Sequence, residues 1–183
     1  MGGWMGKVLD VNLTTGEIAT RPLDMEMARL FLDGRGLGAR ILWDEVGPDV
    51  DPLSPQNVLI FAGGPLTGTV LDANSGGFWG VQFKKTGYDV LIVRGKADRP
   101  VSLEIKPDGV TIKDAAHLWG KRVLETTKAL GQNNNRRNVL CIGPAGENLS
   151  RMAAIMNDGE RLLARGGPAA VMGSKSVDQP GLA

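Results

Sequence analysis

Two short apolar runs open on the same letters, Asn57-Val58-Leu59 and Asn138-Val139-Leu140, and each runs on into a Gly-Pro step, Gly64-Pro65 or Gly143-Pro144. What surrounds them also repeats. Residues 7–20 read as a hairpin, with Val8, Leu9, Val11, Leu13 and Ile18 flanking a Thr14-Thr15-Gly16 turn whose glycine can take a positive φ. Asp24 is placed to cap a helix from Met25, carried on by Leu30, Phe31 and Leu32 as far as Asp33. After the glycine run 34–38, a second helical piece over 39–46 stops at Gly47-Pro48. Residues 58–62 are a fully apolar strand, and 88–93 are another strand-like run. The second half repeats the order: a hairpin of 101–105 and 110–112 around Pro107-Asp108-Gly109, a helix capped by Asp114 that reaches about Leu130 and is stopped by Gly131, then a strand over 139–142. Each Gly-Pro is followed by a glycine-rich stretch, 74–77 in one half and 157–167 in the other. The pattern is that of a duplicated β-β-α-β unit, which would make the two glycine-rich stretches counterparts about a pseudo-twofold axis. Chance similarity of short buried strands would produce the same letters.

The stretch 152–175 carries the densest chemistry. An apolar run turns polar at Asn157-Asp158-Gly159; Arg161 and Arg165 follow, then Gly166-Gly167. Glycine lets a backbone approach a ligand closely, exposed N–H groups in such turns form concave anion sites, and arginine presents a planar fork of donors that suits phosphate. An ordinary glycine-rich turn between core elements would carry the same letters. Two such loops, one from each half, could grip a ligand with two anionic arms. The residues alone do not name that ligand.

Composition excludes several classes. The 183 residues hold 21 Lys+Arg against 20 Asp+Glu, so no basic excess marks a nucleic-acid surface. Cys141 is the one cysteine; it cannot form an internal disulfide or complete a zinc or iron–sulfur site from this chain, and its apolar surroundings make it a small buried hydrophobe. The one histidine, His117, cannot support a histidine metal site and reads as a surface or capping residue. No apolar run approaches the roughly 18 residues of a membrane span, and residues 1–7 have no apolar signal core, so a cytoplasmic protein is expected.

The letters resemble the N-terminal domain of the aldehyde ferredoxin oxidoreductase family, the tungsten-pterin enzymes. The runs that carry the resemblance are 6–16, Gly34-Arg35-Gly36-Leu37-Gly38, 51–55, 64–69, Ala73-Asn74-Ser75-Gly76-Gly77, Gly87-Tyr88-Asp89, 114–120, 143–148 and 153–175. They cover nearly the whole chain, in order. The resemblance implies an α+β fold of two mixed β-sheets related by a pseudo-twofold axis with helices packed outside, in agreement with the duplication. It implies one domain, 1–183, serving as the base for a tungsten bis-molybdopterin cofactor with a magnesium ion joining the two phosphates. It implies Asn74, Ser75 and Gly76 as pterin contacts from the first half and Arg161, Leu162, Ala164 and Arg165 from the second. The backbone carbonyls of Asn74 and Leu162 would bind the magnesium, a hard cation suited to oxygen donors. No catalytic residue is implied here. The implied activity is oxidation of an aldehyde with water to a carboxylate, electrons leaving through a [4Fe–4S] cluster in downstream domains to ferredoxin. The implied partners are ferredoxin, those downstream domains and a second copy in a homodimer, with no nucleic acid and no membrane. On this reading the chain alone is inactive. The other reading is a non-catalytic module that binds a phosphorylated ligand or a partner subunit.

Three departures from the family pattern set expectations. Leu162 and Ala164 stand where the family has smaller residues. Residues 176–183 are polar and short where the family continues as an apolar strand, so the chain is expected to be truncated there. One Pro-Leu-Thr-Gly run stands where the family has two, so a segment near Thr69 is expected to be missing. Its loss is expected to fray the sheet beside residues 68–74 and to uncover Phe61, Phe78 and Trp79.

Overall fold

The computed structural model describes residues 3–32, 34–62, 73, 75–131 and 139–182. The first sheet has the order β2-β1-β4-β3, built from β1 (Lys7–Asn12), β2 (Glu17–Pro22), β3 (Leu59–Ala62) and β4 (Val90–Arg94). β1 pairs antiparallel with β2 and parallel with β4, and β3 closes antiparallel on β4. The second half repeats this arrangement. β5 (Val101–Lys106) pairs antiparallel with β6 (Gly109–Asp114) and parallel with β10 (Val177–Leu182). β7 (Leu140–Cys141) then lies antiparallel along β10 through the Val139–Gly181 bridge and the bond from Ile142 N–H to the Asp178 carbonyl, 3.1 Å. The expected α+β duplication is therefore present, and each unit is one strand longer than β-β-α-β: β4 and β10 are the central parallel partners.

Period-two alternation builds the core. Leu9, Val11, Leu91 and Val93 of the first sheet and Leu103, Ile105, Leu140 and Ile142 of the second share one buried cluster. The alternate residues Val8, Val90 and Ile92 meet Ala28 of α1 (Met25–Phe31) and Leu37 and Ile41 of α2 (Gly34–Glu45) on the outer face. Asp24 caps α1 as expected, accepting from Glu26 N–H at 2.8 Å and Met27 N–H at 3.0 Å.

Four expectations are corrected. The glycine run 34–38 is the first turn of α2, not a break; a Cβ at Gly36 would collide with the Phe31 carbonyl, so glycine is what lets α2 start against the end of α1. Asp114 caps only a turn, accepting from Ala116 N–H at 3.1 Å. The helix there, α4, spans Val123–Gly131 because Gly120, at φ +86°, turns the chain first. The polar segment after Ser176 forms strand β10, buried at every residue; its main chain pairs with β5 and β7 whatever its side chains. Finally, Phe61 and Trp79 are not uncovered: each is 7% exposed. β3 pairs with β4 along all four of its residues. Trp79 on α3 (Trp79–Lys85) stacks 5.0 Å from Phe83 and lies 5.7 Å from Phe61, so the three rings cover one another. Phe78 is exposed, as expected. Residues 68–72 and 74, Thr69 among them, lie outside the described residues.

Candidate functional site

The second-half arm is a hairpin of β8 (Ile155–Asn157) and β9 (Arg161–Leu163). Asp158 and Gly159 turn it at φ +53° and +75°, the left-handed pair that tight hairpin turns require. The Asp158 carboxylate accepts Val139 N–H at 2.7 Å, fixing the turn to the strand before it. Desolvation pushes the Asp158 carboxyl above its ordinary range, against the lowering effect of that hydrogen bond. After β9, Gly166 and Gly167 at φ +79° and +68° lead into α6 (Pro168–Ser174). A Cβ at Gly167 would sit 2.6 Å from the Arg151 carbonyl oxygen, so only glycine fits this re-entry.

The first-half arm reaches this hairpin. The side chain of Arg161 lies across Gly76 and Gly77: a Cβ at Gly76 would be 3.0 Å from Arg161 Nη1, and one at Gly77 would be 3.2 Å from Arg161 Cδ. Asn157 Nδ2 donates to the Gly76 carbonyl at 3.0 Å. Residues 81 positions apart in the chain are thus joined at one place. Arg161, Leu162, Ala164 and Arg165 are all exposed, and Ser75 is half-buried beside them. β9 has β8 on one side and no strand on the other among the described residues, which leaves peptide groups open on that side. Neither Arg161 nor Arg165 is in an ion pair with a described residue. The face is therefore cationic and rich in main-chain groups. Of the sequence-predicted site residues, Ser75, Gly76, Arg161, Leu162, Ala164 and Arg165 fall in this region; Asn74 lies outside the described residues.

Behind the face is a cavity of about 850 Å³. Leu42, Ile60 and Trp79 line it from the first half, Asn157, Arg165 and Val171 from the second. Asn157 and Trp79 were not singled out as site residues from the sequence. An asparagine before Asp-Gly reads as a turn former, and a tryptophan between apolar letters reads as core.

Residues 8–179 match the family described as aldehyde ferredoxin oxidoreductase, N-terminal domain. The chain is 45% identical over 197 residues to a tungsten-containing aldehyde ferredoxin oxidoreductase of Pyrococcus furiosus, covering 96% of this chain and 32% of that protein. It is 35% identical over 211 residues to the WOR-like subunit of an aliphatic sulfonate oxidoreductase of the same organism, covering 97% and 34%. In structure it is similar to the active-site complex of a benzoyl-coenzyme A reductase in complex with 1,5-dienoyl-CoA, with a TM-score of 0.89 and 40% identity over 97% of this chain and 30% of that one. The chain thus spans about a third of the length of these relatives. The first alignment is 197 residues long against 183 in the whole chain, so that relative carries positions with no counterpart here. A match across nearly all of both halves settles the family: the chain belongs to the aldehyde ferredoxin oxidoreductase family and corresponds to its N-terminal domain.

Proposed function

We propose that this domain is the base on which a tungsten bis-molybdopterin cofactor lies, within an enzyme that oxidises aldehydes with water to carboxylates and passes the electrons to ferredoxin. The residues present fit such a group. Its phosphates are anionic, and the arms meet at Arg161, close in sequence to Arg165, neither guanidinium being in an ion pair among the described residues. Its pterins are flat, and Gly76, Gly77, Gly166 and Gly167 leave the main chain bare along the same face. When bound, the cofactor would supply the two-electron redox chemistry. The chain's own residues would bind and orient it: Arg161 and Arg165 by charge-assisted hydrogen bonds to phosphate, Ser75 and Gly76 by contact from the first half, and Leu162 and Ala164 through their main chain. We assign the magnesium to the carbonyls of Leu162 and Asn74, the latter outside the described residues. A magnesium ion held by phosphates needs only one or two protein oxygens. The exposed side chain of Leu162, at 51%, does not stand in the way of a carbonyl contact.

We also place a missing segment near Thr69. The relative's longer alignment supports it. The iron–sulfur cluster is assigned to the downstream domains, and ferredoxin and a second copy in a homodimer are the partners proposed for the whole enzyme.

The observation that carries the proposal is the meeting of Arg161 with Gly76 and Gly77. Arg161→Ala tests it. Protein from tungstate-supplied cells should retain tungsten and pterin about ten- to hundredfold less well, since a charge-assisted hydrogen bond is worth about 1.5–3 kcal/mol. Thermal stability should be unchanged, because the residue is exposed. Equal retention by the variant and the parent would show the site to be elsewhere.

A further inference from the structure

The register of the site hairpin brings a third arginine to the base of the same arm. Asn157 pairs with Arg161 and Ile155 with Leu163. Carried on beyond the strands, that antiparallel register sets Ala153 opposite Arg165 and Arg151 opposite Gly167. The main chain follows it: a Cβ at Gly167 would lie 2.6 Å from the Arg151 carbonyl oxygen and 3.3 Å from the Arg151 Cα. Arg151 and Arg165 are then diagonal neighbours, a relation that spans about 7–8 Å in an ordinary antiparallel pair. Two side chains as long as arginine reach one ligand across that gap.

The chain is held on both sides of Arg151. The helix α5 (Pro144–Glu147) closes with Leu149 N–H donating to the Gly146 carbonyl and Ser150 N–H to the Ala145 carbonyl, both at 2.9 Å. Leu149 takes φ +59° there, the left-handed position of a Schellman helix end, which glycine usually fills. Ala153 N–H donates to the Ser150 carbonyl at 2.9 Å. The main chain of Arg151 is thus fixed while its side chain is exposed. Arg151, Arg161 and Arg165 are all exposed, and none is in an ion pair with a described residue. The Asp158 carboxylate of the same hairpin accepts Val139 N–H. Like charges on one small arm repel one another, and an anion carrying several charges turns that repulsion into attraction.

We propose that Arg151 is a third anion-binding residue of this face, donating to a phosphate group that extends past Arg165 towards α5. A planar guanidinium fork suits that group. The inference rests on the cofactor reading above for the presence of a phosphate, and adds a residue that holds it. A phosphate of the cofactor and one of a phosphorylated substrate present the same chemistry, and two measurements tell them apart.

The full chain is titrated with inorganic pyrophosphate by calorimetry, and tungsten and pterin are measured in protein from tungstate-supplied cells. Arg151→Ala should weaken pyrophosphate binding about three- to tenfold, the range of a partly exposed charge-assisted contact. Arg151→Lys should restore part of the loss. Arg29→Ala, which removes an exposed arginine from α1 in the other half, should change nothing, and all three variants should melt like the parent. A parallel loss of tungsten and pterin in Arg151→Ala assigns the phosphate to the cofactor; weaker pyrophosphate binding with full tungsten and pterin assigns it to a second ligand. If Arg151→Ala binds pyrophosphate as the parent does while Arg161→Ala does not, the inference is wrong and the cofactor reading stands. If the parent itself binds no pyrophosphate, the inference is overturned, and the tungsten and pterin content decides the cofactor reading separately.

Discussion

The carboxylate of Asp89 accepts the main-chain N–H of Gly6 at 2.6 Å, across 83 positions of sequence. The same carboxylate takes the N–H groups of Met5 and Lys7 and the ammonium of Lys84, and it is wholly buried. It thereby ties the segment leading into β1 to the turn before β4, the strand that β1 pairs with. Asp89→Asn replaces one acceptor oxygen with a donor facing other donors. The expected cost is about 2–4 kcal/mol, read as a lower urea midpoint with an unchanged slope. A midpoint equal to the parent's would mean that this carboxylate does not hold the first sheet together.

Asp178 makes the opposite prediction. It sits in the middle of β10, wholly buried, with neither carboxylate oxygen bonded. Burial, reinforced by the charge of Glu147, pushes its carboxyl up from 3.8 to about 7. The folded pKa lies above the unfolded one, so the folded state holds a proton that the unfolded chain has already released. Stability from this group is fully present below pH 3.8 and is lost as pH rises through about 7. Asp178→Asn should therefore raise stability by about 2–4 kcal/mol at pH 8 and change it little at pH 4. Thermal melts at the two pH values check this; a gain of the same size at both would remove titration of Asp178 as the cause.

The chain alone should show no cubane-type signal by electron paramagnetic resonance after reduction, and no aldehyde oxidation. A four-iron cluster needs four thiolate-type ligands, and Cys141 is the one cysteine, fully buried, its thiol raised to about 11 by desolvation. A cluster signal from purified monomer would contradict this.

Gly77 gives a local test of the close approach between the halves. At φ +109° it takes a conformation that side chains rarely adopt, and a Cβ there would meet Asn157 Nδ2 at 3.0 Å. Gly77→Ala should cost about 1–3 kcal/mol and push Asn157 off Gly76. The melting temperature and the pyrophosphate titration should both report it; a variant matching the parent in both would show that the approach is not tight.

Much of this was legible in the sequence, and the limits are physical. The duplication could be read because hairpin turns, caps and short apolar strands leave local signatures, as Asp24 and Thr14-Thr15-Gly16 do. The central strand β10 could not, because Val177-Asp178-Gln179-Pro180-Gly181-Leu182 lacks the apolar run of a buried strand and is held by pairing with β5 and β7. The helical start at Gly34 was hidden because glycine there serves a contact with Phe31, which is tertiary information. At the site, Arg161 and Gly76 were named for their chemistry and family pattern, and the fold brings them together. Asn157 escaped because its role depends on a carbonyl 81 residues away.

The central claim is that the two arms hold one cofactor between them. The most direct measurement is the tungsten and pterin content of the full chain purified from cells supplied with tungstate, by mass spectrometry and by fluorescence of the oxidised pterin. The account predicts tungsten and pterin together, two pterins for each tungsten, both lost in parallel in Arg161→Ala. Protein from the same cells that is folded and carries neither tungsten nor pterin would contradict it.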